Sequence, residues 1–297
     1  MSDLSPDLTA LAPAGPAPTR GHGRARGFGV MFWVAVGWLG LLIALAAFAG
    51  VLPFVKDQYL PYADALRRGP SAAHWFGGDA IGRDVFARVI FGARVSLGVG
   101  AISVTIGVVI GGGLGLVAGY FRGRVDAVLT ALADILLAFP ALILLLALIA
   151  FLGQNLRNVI IGVTVLTIPS LFRVSRSATL AVSQREFVVA ARALGAGHRR
   201  IIVRELLPNV VPTMLSYGVL SVAVVIVAEG ALSFLGLSVR APTPTWGNLI
   251  NEGRSLLNDA PHVALIPCAV MFLTLLSLNH VGDRLRARFD VRVNELS

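Results

Sequence analysis

The 297-residue chain contains a single cysteine, Cys268, set within an apolar run. One thiol excludes an intrachain disulfide and a cysteine-rich metal centre. Lysine is equally scarce: Lys56 stands alone in Val55-Lys56-Asp57, without a glycine-rich loop before it or a Ser/Thr after it. A phosphate-cradling loop of the Walker type needs both, so the chain carries no such ATP site. Whatever energy it uses comes from a gradient or a partner. Charge is also sparse: 14% of residues are charged against 56% hydrophobic, and the mean hydropathy is +0.79. That balance lies outside the range of a soluble globular domain and argues against a water-soluble enzyme. The net charge of +9 is spread thinly between long apolar runs, with no compact basic stripe and no interleaved aromatics. Nucleic acid is therefore not the expected partner.

What the chain does have is apolar length. Residues 1–27 are rich in Pro, Ala, Gly and Arg without apolar periodicity and read as a disordered tail. The run 28–55 exceeds the about 7 to 15 residues of a signal-peptide core, so despite Ala47-Phe48-Ala49 it reads as a retained span. Crossing ~30 Å of hydrocarbon takes ~20 helical residues. Five further runs reach or approach that length: 95–120, 127–152, 159–176, 210–237 and 263–281. The expected fold is an all-α integral membrane protein with six transmembrane helices and both termini on one side. Basic residues favour the cytoplasmic side. Termini placed inside put sixteen of the 25 there, in a set that includes Arg173, Arg176 and seven residues of the 20–26 and 284–292 stretches. Segments 56–94, 153–158 and 238–262 then lie outside, 95–282 forms the core, and 283–297 is a second cytoplasmic tail.

Two stretches between spans carry more structure than a simple loop. Phe86, Val89, Ile90, Ala93 and Leu97 recur at helical spacing. The segment 83–94 is either a helix along the outer interface or an extension of the second span. The stretch 183–208 is polar, helix-favouring and interrupted by Gly195 and Gly197, which predicts two short helices with a bend between them. Its small residues Ala190, Ala191 and Gly195 permit close approach by another protein. Phe187 and Leu194 offer apolar anchors, and Arg192, Arg199 and Arg200 a charged rim. That is the design of a docking surface; the alternative is an ordinary solvated loop.

The same stretch resembles the coupling region of ABC importer permeases, in which a Glu-Ala-Ala triplet, a glycine and a Leu-Pro pair recur at fixed spacing. Here it reads Val189-Ala190-Ala191, Gly195 and Glu205-Leu206-Leu207-Pro208, with Val189 in place of the acid and Glu205 in place of an apolar residue. Further segments are similar to the second permease subunit of oligopeptide, dipeptide and nickel importers. These are His74-Trp-Phe-Gly-Gly-Asp79, Gly82-Arg-Asp84, Gly92-Ala-Arg-Val-Ser-Leu97, Glu229-Gly-Ala-Leu-Ser-Phe-Leu-Gly-Leu237, Pro242-Thr-Pro-Thr-Trp-Gly247 and Glu252-Gly-Arg254. With Gly123-Arg-Val-Asp126, Ala138-Phe-Pro140 and Gly282-Asp-Arg-Leu-Arg286, the likeness covers roughly residues 28–292.

The resemblance implies a type I importer permease in a bacterial inner membrane, with no cofactor of its own and no enzymatic activity. It would pair with a second, homologous permease. Two ATP-binding ABC ATPase subunits would grip Phe187, Ala190, Ala191, Arg192, Leu194, Gly195, Arg199, Leu207 and Pro208. An external solute-binding protein would deliver peptides or similar small solutes, nickel chelates included. Asp79, Arg83, Asp84, Trp246 and Glu252 would face that protein or brace an external gate, or else Gly82-Arg83-Asp84 is a capped turn that stabilises the following helix. The rival class is a gradient-driven secondary transporter. Its support would be intramembrane acids, which are functional candidates by default, and Asp134 and Glu229 fit that description. The family often has an arginine three residues before Asp134, where this chain has Ala131. Asp134 is therefore expected to pair with another helix or a partner subunit, or to sit near interfacial water. An intramembrane hydrolase would need a nucleophile beside a base, but His262 and His280 bracket one span and no Gly-x-Ser-x-Gly occurs.

Overall fold

The computed structural model describes residues 29–295, with side chains to Phe289, so the expected tail 1–27 lies outside the described residues. The chain is helical nearly throughout: α1 (Val30–Phe48), α2 (Val85–Phe121), α3 (Gly123–Ala138), α4 (Ala141–Leu152), α5 (Leu156–Val182), α6 (Glu186–Ala193), α7 (His198–Phe234), α8 (Trp246–Arg254) and α9 (His262–Glu295). Among the described residues there is no β-strand, and two isolated bridges, Pro61 to Arg83 and Gly78 to Asp84, tie down the 49–84 segment. Five helices, α1, α2, α5, α7 and α9, are long and apolar enough to cross a bilayer, and α3 with α4 passes the same test as a pair bent by 87°.

That bend departs from the single span expected over 127–152. Pro140 disfavours helical backbone at the residue before it, and Phe139 accordingly adopts φ −78°, ψ 136°, where α3 stops. Of the two readings of 83–94, the extension of the second span is the one observed: α2 runs unbroken from Val85. Arg94, which an interfacial helix would turn to water, instead donates to the carbonyls of Ala46 and Ala47 at 2.8 and 2.9 Å and pins α2 to the end of α1. At 37 residues, α2 is about 55 Å long and joins the two ends of the bundle.

Helix α2 packs on α5 through a glycine seam. Gly107, Gly111, Gly115 and Gly119 fall one per turn on the buried face, and small residues at such a spacing let helix backbones approach closely in a membrane. A Cβ on Gly111 would stand 2.4 Å from the Ile168 carbonyl oxygen, and one on Gly115 2.4 Å from that of Phe172. Ser175 Oγ donates to Gly112 O across the seam at 2.7 Å. Hydrophobic clusters complete the bundle: α1, α2, α7, α8 and α9 meet around Trp246 and Ile226, and α2, α5, α6 and α7 meet around Tyr120, Val188 and Met214.

Candidate functional site

The segment 183–208 lies at the end of the bundle where α2 and α5 finish and α7 begins. Helix α6 buries Val188 completely, against Tyr120, Val182, Ile201 and Leu206. Its other apolar groups face outward: Phe187 is 38%, Val189 53% and Leu194 88% exposed. Ala190, Arg192, Gly195, Arg199, Leu207 and Pro208 are exposed too, and Ala191 is half-buried. Gly195 ends α6 with φ +80°, where the N–H groups of Gly195 and Ala196 satisfy the last carbonyls of the helix, Arg192 O and Ala191 O, each at 3.0 Å. A Cβ there would meet nothing within 4 Å, so glycine is required for its left-handed backbone and not for room inside this chain.

Where two short helices are expected, the second proves to be the first turn of α7. Pro208 has no N–H for the Arg204 carbonyl, and the chain widens to a π turn over Ile201–Leu206 instead of stopping. The end of α2 is fastened to this region: the Tyr120 hydroxyl and His198 Nδ1 hydrogen-bond at 2.8 Å, and the Arg192 guanidinium lies 5.8 Å over the Tyr120 ring. Neither Tyr120 nor His198 stands out in the sequence, because the 78 positions between them hide the contact.

At the other end, four charges close a ring that ties the 49–84 segment to α2 and α8. Asp79 Oδ2 accepts from Arg83 Nε at 2.7 Å and Arg88 Nη1 at 2.6 Å. Glu252 accepts from Arg83 Nη2 at 2.9 Å and from both terminal nitrogens of Arg88, at 2.6 and 3.1 Å. Burial pushes the Asp79 carboxyl up, but the backbone N–H groups of Arg83 and Ile81 and the two guanidinium charges outweigh it and hold it below the ordinary value of 3.8.

Beside the ring, Asp84 Oδ1 accepts the Ala87 N–H at 2.8 Å and caps α2, while its Oδ2 lies 2.7 Å from His74 Nδ1. Trp246 is fully buried, its indole N–H donating to Val89 O at 3.1 Å. Of the five residues singled out in the sequence for this end, Asp79, Asp84 and Trp246 offer no surface to a partner, Arg83 little, and Glu252 an edge. Arg88, 1% exposed, lies at the ring's centre, off the apolar stripe of Phe86, Val89 and Ile90.

The two intramembrane acids have different surroundings. Glu229 is 1% exposed and accepts from Ser233 at 2.6 Å, Ser238 at 2.9 Å and Ser96 at 3.2 Å. Ser96 also accepts the Trp246 N–H at 3.3 Å, so this carboxylate holds α2, α7 and the start of α8 together. Asp134 pairs with Arg173 of α5 at 2.6 Å, and both side chains are about half exposed. A second pair, Asp126 with Arg176, joins α3 to α5 through both ends of the guanidinium. Among the described residues no group of three or more His, Cys, Asp or Glu could hold a metal.

Five apolar helices with a sixth bent pair, an exposed short helix at one end and a sealed ring of charges at the other define a multi-pass helical membrane protein. The comparisons agree. Residues 111–295 match the family described as binding-protein-dependent transport system inner membrane component, and the chain belongs to it. It is 40% identical over 254 residues to the glutathione transport system permease protein GsiD of Pectobacterium atrosepticum, covering 85% of this chain and 84% of that one. The GsiD of an Escherichia coli strain is 42% identical over the same shares. A chain of the MetNI methionine ABC transporter, in inward-facing conformation, superposes with a TM-score of 0.59 at 19% identity over 69% of this chain and 97% of that chain, which shows a common fold. The protein is an inner-membrane ABC importer permease and not a gradient-driven carrier.

Proposed function

We propose that the chain is one of two homologous permeases in a peptide importer, with both termini cytoplasmic and two separate ATPase subunits seated on 183–208. The exposed α6 carries this reading: Val188 is its one buried residue, leaving Phe187, Val189 and Leu194 as an apolar patch beside arginines that no described residue covers. ATP binding closes the ATPases and draws the coupling segments of the two permeases together. The Tyr120–His198 contact passes that movement to α2, and hydrolysis resets the pathway. This is a two-state element biased by a partner. At the far end the charged ring and the Glu229 cluster brace the external segments 56–94 and 238–262, on which a loaded solute-binding protein docks. Glutathione, named for the GsiD relatives, sets the solute class as short peptides bearing free carboxylates.

The test is reconstitution in proteoliposomes with the sister permease, the ATPases and a loaded binding protein. Uptake of a glutathione-sized peptide that requires ATP and every subunit is expected. Uptake driven by an ion gradient without the ATPases contradicts the proposal.

A further inference from the structure

The Asp134–Arg173 pair is half exposed although both residues lie within apolar helices. Arg173 is more than two turns from Val182, the end of α5, and Asp134 about one turn before Ala138, where α3 bends into α4. Lipid does not satisfy such charges; within a membrane they face a partner, the bundle interior or water. Beside the pair, a groove of about 410 Å³ opens between α5, α7 and α9 toward the end that carries α6. Its polar lining is Arg173, Ser177, Asn209, Thr213, Tyr217 and Arg286, with no acid among the described residues that line it. The Arg286 guanidinium lies 4.7 Å over the Tyr217 ring, which orients it along the groove wall. Arg173 gives one terminal nitrogen to Asp134 and has further N–H donors in its planar fork.

We propose that this groove is the chain's wall of the water-filled pathway next to the coupling segment, and that Arg173 and Arg286, with the neighbouring hydroxyl and amide groups, receive the carboxylate of the passing solute. Guanidinium forks match carboxylates in geometry and charge. A pathway must also release what it binds, and an arginine already shared with Asp134 suits a transient contact. The inference rests on the peptide-importer reading and adds a determinant of cargo chemistry within the permease itself.

The complete complex in proteoliposomes is given a saturated binding protein carrying either a tripeptide with a free C-terminal carboxylate or its C-terminal amide. Removing the charges with Arg286→Gln, or with Asp134→Asn and Arg173→Gln together so that neither is stranded, is expected to lower the acid-to-amide uptake ratio about tenfold, as loss of a charged hydrogen bond does. An unchanged ratio overturns the proposal even where both uptakes fall. Failure of the unmodified complex to move either peptide instead overturns the importer reading beneath it.

A second measurement needs no cargo and no arginine variant. With Cys268→Ser and Thr213→Cys, an anionic thiosulfonate should react about tenfold faster than a cationic one. Equal rates, a faster cation, or no reaction with either reagent contradicts the proposal.

Discussion

Where α2 begins, Asp79 and Arg88 are each 1% exposed, and the charges there are matched by partners from α2, α8 and the 49–84 segment. Where α2 ends, α6 buries Val188 and leaves Leu194 88% exposed. The family likeness draws attention to both regions, yet they meet their physical requirements in opposite ways. The first is complete within the chain, so its residues act as structure. The second has apolar area that no described residue covers, and its proposed complement is an ATPase subunit. Residues with a marked family pattern thus fall into two kinds here, separated by whether the chain itself satisfies them.

Breaking the open end should have the largest effect on transport and little on folding. Gly195→Leu forces a branched residue into φ +80° without striking any atom of the chain, at a cost of ~1–2 kcal/mol. Ala191→Glu places a charge in the seat. Both are expected to leave the protein inserted and paired with its sister permease while ATP-driven uptake falls by more than tenfold, measured in proteoliposomes.

Breaking the closed end should do the reverse. Arg88→Met leaves two carboxylates without their shared buried cation, a change of ~3–5 kcal/mol in stability. It should lower the thermal midpoint of the purified chain more than Glu252→Gln does, because Glu252 retains 35% side-chain exposure. Equal midpoints for the two would mean that the ring is not the buried brace described above.

The seam that joins the two ends gives a smaller and sharper contrast. Gly111→Ala drives a Cβ to 2.4 Å from the Ile168 carbonyl oxygen, whereas the same change at Gly113 meets nothing within 4 Å. The first is expected to cost ~1–3 kcal/mol. The second should be neutral or slightly stabilising, since alanine is the better helix former. Thermal unfolding of both variants under one detergent condition separates them.

Acid should reveal the smallest effect. The folded-state pKa of Asp79 is lowered, so its contribution to stability is fully present above the unfolded value near 3.8 and is lost as pH falls through the folded value. Asp79→Asn should be less stable than the parent at neutral pH. Below that window the difference should shrink, as read from unfolding midpoints along a pH series.

The sequence reveals the fold to the extent that it depends on apolar length. The six runs recur as α1, α2, the α3–α4 pair, α5, α7 and α9. The break at Pro140 was present as a proline within an apolar run, but span length alone does not register it. The glycines at 107, 111, 115 and 119 were equally visible, though their spacing acquires meaning only once α5 is known to lie against them. Asp134 was legible as a charge needing a partner, but that partner, Arg173, was counted with the cytoplasmic charges although it lies inside the 159–176 run, in the middle of α5. Of the hydroxyl donors to Glu229, Ser233 stands one helical turn on, but Ser96 is 133 positions away and was not legible. Local patterns report on segments; partners across the bundle require the packing.

The measurement closest to the central claim is ATP hydrolysis by the reconstituted complex, with and without loaded binding protein, in Leu194→Glu beside the unmodified chain. Leu194 is 88% exposed, so the charge costs the isolated fold little and falls wholly on the proposed ATPase seat. The account predicts that stimulation by loaded binding protein disappears while the variant remains inserted and paired with its sister permease. Normal stimulation together with normal uptake would show that 183–208 is not where the ATPases grip.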